Sequence, residues 1–340
     1  MSTGCRSCLA MIIFILSINH AHASRELQQS IGNPVPSASS AKVHAPAVYR
    51  ETWDSLALSQ NSLHDEPVIS AGLPAVFPTF TRELLRVQWR PGDPIDLYII
   101  RPVGVKSPPA VLYLYSYPSE TTRFQNDTFC RLATQNGMAA VGFVSALTGQ
   151  RYHERPMKQW FISELPEAIG STVHDVQMII NYLGTRGDLD MNRIGMFGQG
   201  SGGTIAILAA ATDPRIKAVD VIDPWGDWPK WLASSPQIPD NERANYLTPD
   251  FLTRVAPLDP LHWLPELKGH RLRLQENVFG PPLIPEIVRQ TMENSVDRSA
   301  EVIEYHDRDE YVLNVTAGGK MLGWLHSKLQ PEVHPVSFEP

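Results

Sequence analysis

The sequence predicts an α/β fold: a mostly parallel eight-stranded sheet flanked by helices, with an insertion late in the chain. Strand-like and helix-like segments alternate along most of the sequence, and the two leading strands are joined by a turn at 91–94. With 340 residues and 43% hydrophobic content, the chain can form one large α/β core. The predicted strands are 83–90, 95–101, 110–115, 138–144, 194–197, 219–222, 272–275 and 302–305.

Helical patterns lie between and after these strands. The segments 129–135 and 171–183 have helical character, the second with one apolar side, and a closing helix is predicted from about 313 to 329. Adjacent helical residues do not face each other, so His174 and Asp175 are expected at a helix surface or in a local ion pair, and not as a catalytic dyad.

The beginning of the chain has the pattern of a secretory signal peptide, 1–23. A basic residue precedes an apolar run, and Ala21-His22-Ala23 fits a cleavage site. The run is too short for a membrane span, so no stable span is expected after cleavage; a retained anchor is the alternative. Residues 24–82 are interpreted as a flexible leader and N-terminal extension, and 331–340 as a C-terminal tail. These features predict a secreted or periplasmic protein.

Composition argues against several classes of function. The net charge of −7 and a pI near 5.9 disfavour a nucleic-acid partner, which would require a basic surface. The histidines are scattered and H-E-x-x-H is absent, so neither a metal site nor a cofactor is predicted. Removal of the leader leaves Cys130 alone, and we expect it to be a buried small hydrophobic residue.

The most informative stretch is a short apolar strand, a glycine-rich turn and a helix. The turn is Gly198-Gln199-Gly200-Ser201-Gly202-Gly203. It also fits the spacing G-x-G-x-x-G of a dinucleotide-binding loop, but that match is weak by itself and no phosphate-binding lysine follows. The alternative is a nucleophile elbow, which has the same strand, turn and helix.

Residues 188–198, followed by Gly202 and Gly203, resemble the elbow of α/β-hydrolases of the dienelactone hydrolase and acyl-peptidase type. The resemblance covers most of 83–330 and implies an α/β-hydrolase fold. In that family the turn reads G-x-S-x-G-G. The nucleophile position is then occupied by Gly200, and the serine follows one residue later, as Ser201.

Ser201 has two interpretations. As a nucleophile it would require a one-residue shift of the turn, which places Gln199 where a small residue is needed. As a structural residue it would cap the following helix, because serine is favoured at helix N-termini.

The resemblance also implies an acid and a histidine after the later strands. His306 follows the last strand, several residues earlier than in the family. No aspartate follows the seventh strand, so Glu276 and Asp223 are the candidate acids. The backbone N–H groups of Tyr117 and Gly202 are the candidate oxyanion donors, although the usual His-Gly is missing.

The insertion, 225–267, corresponds to a lid in related hydrolases. It contains Trp225, Trp228 and Trp231. These rings either present an aromatic surface to an apolar or ring-bearing ligand or anchor the insertion to the domain.

Two functions remain open from the sequence. One is an exported serine hydrolase that cleaves an ester or peptide bond with an irregular triad. The other is an inactive hydrolase relative that keeps the sheet, elbow and lid but only binds a small molecule, peptide or other partner.

Overall fold

The computed structural model describes residues 51–330, except 64–66, 118, 120, 148–150, 152–160, 280–282 and 317–318. The predicted signal peptide, the leader before residue 51 and the tail 331–340 lie outside the described residues. All described residues belong to one compact unit. Within the described part, no helix combines the length and apolar character needed to cross a bilayer.

One sheet forms the centre of the protein. Its strands are β1 (Ile69–Ser70), β2 (Ala75–Val76), β3 (Phe80–Val87), β4 (Ile95–Pro102), β5 (Pro109–Leu114), β6 (Ala139–Gly142), β7 (Asp190–Gln199), β8 (Ile216–Ile222), β9 (Arg271–Asn277) and β10 (Glu301–Tyr305). Their order is β1-β3-β4-β6-β5-β7-β8-β9-β10, with β2 paired to β3. The pairs from β6 to β10 are parallel, and those that involve β1 to β4 are antiparallel.

Helices cover the sheet and form the insertion. They are α1 (Thr122–Gln125), α2 (Asp127–Thr134), α3 (Leu165–Arg186), α4 (Ser201–Thr212), α5 (Trp228–Ser234), α6 (Asp240–Tyr246), α7 (Pro249–Val255), α8 (Pro260–Trp263), α9 (Glu286–Ser295), α10 (Arg308–Tyr311) and α11 (Gly319–Lys328). The apolar side of α3 and nearly the whole of α4 are buried, which places these two helices in the core.

The predicted fold class is confirmed. The eight predicted strands correspond to β3 to β10, and the sheet is mixed only at its leading edge. The structure adds the two-residue strands β1 and β2, which are too short to show a period in the sequence. The predicted closing helix is interrupted: α10 and a π-helical turn, Val312–Thr316, precede α11.

The expectation that His174 and Asp175 lie at the surface is wrong. Both are fully buried in α3. Asp175 accepts hydrogen bonds from Trp89 Nε1 at 2.7 Å and Arg151 Nη1 at 2.6 Å, and it also pairs with Arg90. Burial alone would raise the pKa of Asp175, but the two guanidinium groups outweigh it and lower the pKa.

The same ion-pair network holds the N-terminal segment. Glu51 Oε2 accepts from Arg90 Nε at 2.6 Å, while Glu51 Oε1 lies 2.7 Å from His174 Nδ1. The other ring nitrogen of His174 lies 2.8 Å from the Ser55 carbonyl oxygen. Since these groups are almost completely buried, the segment around 51–61 belongs to the packed structure of the domain.

The insertion tryptophans are also buried, so the expected aromatic surface is not formed by them. Trp225 and Trp231 stack with ring centroids 4.7 Å apart, and Trp228 meets Trp231 edge to face at 5.8 Å. Their packing supports the anchoring alternative, because rings enclosed by other side chains cannot contact a ligand with their faces.

Two glycines of α3 offer a matched test of how the N-terminal segment packs. A Cβ atom at Gly170 would lie 2.1 Å from the Trp53 carbonyl oxygen, whereas nothing lies within 4 Å of a Cβ at Gly184. We expect Gly170→Ala to lower the unfolding free energy by about 1–3 kcal/mol. Gly184→Ala should raise it by about 0.5–1 kcal/mol, as helix propensity dictates. Urea denaturation of both variants checks this, and equal effects would contradict the packing described.

Candidate active site

The elbow joins β7 to α4 at the carboxyl edge of the sheet. Gly200 has φ +53° and ψ −121°, a backbone conformation that side chains rarely adopt. The flanking glycines are required by close approach of the backbone. A Cβ at Gly198 would lie 2.3 Å from the Gly202 oxygen, and one at Gly202 would lie 2.3 Å from the Leu114 oxygen. This is the strand, turn and helix geometry of a nucleophile elbow.

The space above Gly200 is filled by a residue that the sequence did not single out. A Cβ at Gly200 would lie 2.3 Å from Ser116 Oγ and 2.7 Å from Ser116 Cβ. Trp225 Nε1 would be 3.2 Å away. Because Ser116 follows β5, its hydroxyl enters from the neighbouring strand and takes the place where a nucleophile side chain would begin.

Ser201, the residue after Gly200, is enclosed within the protein. It has no exposed surface, and its Oγ accepts a hydrogen bond from the Tyr117 backbone N–H at 3.0 Å. The capping interpretation is wrong, because Ser201 is the first residue of α4, the cap position is Gly200, and no side chain caps the helix. The Tyr117 N–H, expected to bind an oxyanion with that of Gly202, is instead directed at the Ser201 hydroxyl.

Asp223 lies at the end of β8, next to the elbow. Its backbone is left-handed, with φ +47°, and only 6% of the residue is exposed. Oδ1 accepts from the Asn277 backbone N–H at 2.8 Å, while Oδ2 has no hydrogen-bond partner among the described residues. Burial raises the pKa of Asp223 to about 6, even though the Asn277 hydrogen bond opposes the shift.

Tyr311 occupies the region where the family histidine was expected. Gln199 Nε2 donates to the Tyr311 hydroxyl at 3.4 Å, a long hydrogen bond. Burial, followed by the proximity of Asp223, raises the pKa of Tyr311 to about 12. The ring packs edge to face against Phe279 at 5.7 Å. Sequence reasoning missed Tyr311 because no motif marks a tyrosine in this loop.

Glu276 belongs to a different cluster. Arg289 Nη1 lies 3.4 Å from Glu276 and 2.7 Å from Glu293, and it also contacts Glu304. Burial, together with Glu293, raises the pKa of Glu276 to about 10, so its carboxyl group is neutral at pH 7. A neutral acid cannot stabilise an imidazolium ion in the way that a triad carboxylate does.

The oxygens of Glu276, Glu293 and Glu304 lie close enough together to hold a metal ion. Arg289 already contacts all three carboxyl groups. The guanidinium therefore supplies the positive charge of this cluster.

His306 is at the surface. Its side chain is 71% exposed, and Nε2 lies 3.4 Å from Glu304 Oε2. Within the described residues, no hydrogen bond or ion pair joins Ser201, His306, Glu276 or Asp223 to one another. The structure therefore brings Asp223 to the elbow, while it leaves Glu276 in the Arg289 cluster, His306 at the surface beside Glu304, and Ser201 buried at the start of α4.

Comparison with solved structures places this fold among the α/β-hydrolases. The chain is similar to acetyl xylan esterase 1 from Thermoanaerobacterium (TM-score 0.62, 14% identity, 78% of this chain and 90% of that one). It is also similar to an S-formylglutathione hydrolase from Agrobacterium tumefaciens (TM-score 0.57, 15% identity, 77% of this chain and 100% of that one). A third similar structure is the acylaminoacyl peptidase of Pyrococcus horikoshii (TM-score 0.53, 15% identity, 74% of this chain and 40% of that one). No protein-family model and no curated protein sequence matches the chain.

The chain thus has the α/β-hydrolase fold, and the resemblance seen in the elbow sequence is confirmed at the level of fold. The similar structures named above are an esterase, a hydrolase and a peptidase by name. Identities of 14–15% carry the fold and not the reaction.

The raised pKa of Asp223 predicts a pH-dependent contribution to stability. Its folded-state pKa of about 6 exceeds the ordinary 3.8, so the folded protein holds this proton more tightly than the unfolded chain. The contribution of Asp223 is then most favourable below pH 4 and is lost as the pH rises through 6, by about 3 kcal/mol at most.

Asp223→Asn removes this titration, whereas Tyr311 titrates only at higher pH. From pH 4.5 to 7.5 the wild type should therefore lose stability that the variant keeps. The unfolding free energy of the variant, relative to that of the wild type, should increase over this range. Urea denaturation across this range measures the gain. A difference that does not change with pH would contradict the assignment.

Proposed function

We propose that this protein binds a small-molecule or peptide ligand at the carboxyl edge of the sheet and does not hydrolyse it through a serine triad. The observation that carries the proposal is the space above Gly200, which Ser116 fills. An exported location, based on the predicted signal peptide 1–23, is part of the same proposal.

Covalent acyl transfer needs a nucleophile within hydrogen-bond reach of a base, and the base in turn needs an orienting acid. Gly200 has no side chain. The hydroxyl of Ser201 is enclosed and bonded to the Tyr117 N–H, while His306 pairs with Glu304. These contacts favour an elbow that has kept its backbone shape without its reaction.

Ligand binding is favoured by the groups that surround the elbow. Gln199 donates to the Tyr311 hydroxyl and pairs with Ile222, the residue before Asp223, so a carboxamide, a phenol and a carboxyl group are found at this end of the sheet. The nearby ring of Phe279 adds apolar surface. A few polar groups beside aromatic rings are the usual composition of a small-molecule site.

The second candidate function is hydrolysis of an ester or peptide bond, and the names of the similar solved structures favour it. In that case Ser201 would be the nucleophile, His306 the base, and Glu276 or Asp223 the orienting acid. Ser201 Oγ would have to leave the Tyr117 N–H and reach the surface of the cleft.

Labelling with a fluorophosphonate separates the two candidates. We expect the wild type to remain unlabelled, because no described serine hydroxyl is hydrogen-bonded to a histidine, and Ser201 Oγ is bonded to the Tyr117 N–H instead. A serine esterase treated in parallel should react. Labelling that disappears in Ser201→Ala would establish the hydrolase. Labelling that disappears only in Ser116→Ala would show that the nucleophile has moved to the neighbouring strand, and it would equally overturn the binding proposal.

The complementary measurement is binding without turnover. An acetylated xylan oligomer and an acylaminoacyl peptide represent the substrate classes that the similar structures' names suggest. We expect any ligand from such a panel that raises the unfolding temperature to be recovered intact after prolonged incubation. Release of acetate or amino acid at a rate that requires Ser201 would contradict the proposal.

A stability comparison tests whether Ser116 fills the nucleophile position. Gly200→Ser alone should lower the unfolding free energy by about 1–3 kcal/mol, because its Cβ would overlap Ser116. In the double variant Gly200→Ser, Ser116→Gly, at least about 1 kcal/mol of that loss should return, although the strained backbone of residue 200 still costs about 1 kcal/mol. A loss in the double variant equal to the sum of the two single losses would show that the two side chains do not meet.

A further inference from the structure

The carboxyl group of Asp223 is a buried acid that has no counterion among the residues the structure describes. Its Oδ2 has no hydrogen-bond partner among the described residues, and the one contact of Oδ1 is to the Asn277 N–H. Buried carboxyl groups in proteins are normally paired or fully hydrogen-bonded, since an unpaired one costs several kcal/mol. An unpaired carboxyl group beside a nucleophile elbow therefore calls for a functional explanation.

A comparison within the same chain strengthens this point. Asp227 lies four residues later, has a similar left-handed backbone with φ +50°, and is equally buried. Its carboxylate is paired with Lys230 Nζ at 2.6 Å. The fold can thus give a buried aspartate in this segment a cation, and at Asp223 none of the described cations is placed within ion-pair distance.

The residues near Asp223 indicate which kind of ligand would pair with its carboxylate. Asp223 Oδ1 accepts from the backbone N–H of Asn277, which lies opposite Tyr305 in the β9–β10 pair. The ring of Tyr305 meets that of Tyr311 edge to face at 5.6 Å, and Tyr311 is in turn bonded to Gln199 of the elbow. Phe279 and Tyr305 both pack edge to face against Tyr311, so three aromatic rings lie together on this side of Asp223. A carboxylate flanked by aromatic rings attracts an organic cation through charge and through the negative faces of the rings.

We propose that Asp223 is the binding partner of a protonated amine, and that the ligand of this site is an organic ammonium compound with an apolar or aromatic substituent. The proposal rests on the proposed function, because it names the class of ligand for the same site. The ammonium group would donate to Oδ2 and supply the missing positive charge, while the substituent would contact Phe279 and Tyr311.

Three probes of nearly the same shape test the charge requirement: benzylamine, benzyl alcohol and benzoate. Titration calorimetry on the full chain at pH 8, where Asp223 is ionised, should show benzylamine binding at least ten-fold more tightly than either of the others, or about 1.4 kcal/mol. Equal affinity for benzyl alcohol would overturn the requirement for a cation. Preference for benzoate, or no binding of benzylamine, would contradict the proposal that Asp223 binds a protonated amine.

The variants Asp223→Asn and Asp227→Asn form a matched pair. We expect Asp223→Asn to weaken benzylamine binding at least ten-fold and to leave the affinity for benzyl alcohol within about two-fold. Asp227→Asn should bind benzylamine as the wild type does, since its carboxylate is already paired with Lys230. Equal losses in both variants would mean that amine binding does not depend on Asp223.

Variants that fail to fold do not remove the test, because the ranking of the three probes is measured on the wild type. The outcome is also separate from that of the proposed function. Fluorophosphonate labelling reports whether a serine is activated, whereas the probe ranking reports only which charge the site accepts.

Discussion

Backbone atoms pack very closely where the end of β7 meets the start of α4. Gly198 and Gly202 leave no room for a methyl group, and neighbouring β5 contributes the Leu114 carbonyl to the same contact. Such an approach aligns the helix N-terminus with the sheet edge and fixes which loops surround it. Ser201 begins α4 at this contact, while Ser116 and Asp223 follow β5 and β8, the two strands that neighbour β7.

On the proposed function, this elbow keeps the backbone shape of the fold without its serine chemistry. The backbone of Gly200 keeps a conformation that a reactive serine would need, yet Ser116 holds the space and Ser201 satisfies the N–H of Tyr117. Fold and activity are independent properties, because a site depends on a few side chains whereas the sheet depends on many. The buried carboxyl of Asp223 shows that the edge of the sheet is still polar and asymmetric after this change.

Most of the fold could be predicted from the sequence, because the local pattern of apolar and polar residues indicates where strands and helices form. The eight main strands, α3 and the glycine turn all have such local signals. The contact between Ser116 and Gly200 could not be predicted, since it joins residues 84 positions apart and neither belongs to a motif with that meaning. The prediction that Ser201 caps the helix was wrong for a related reason. A hydroxyl group at the start of a helix can turn toward either the helix or a neighbouring loop, and the local sequence does not decide between them.

The burial of His174 and Asp175 was unpredictable for another reason. Their partners Arg90, Arg151 and Glu51 come from three separate segments, each of which looks like surface by composition. A polar residue in a helix is usually solvated, and only the assembled chain shows whether its charges are matched.

The buried ion-pair network also decides how much of the chain the hydrolase domain needs. By strand pattern the domain begins near residue 83, but Glu51 neutralises Arg90 and contacts His174 deep inside. A shortened chain that starts after residue 61 would leave a guanidinium group without one of its two buried acids, a change of the kind that costs about 3–5 kcal/mol. The packed domain therefore extends 29 residues upstream of β3, from Phe80 back to Glu51, and a fragment cut at the apparent domain boundary would lose much of its stability before any question of activity arises.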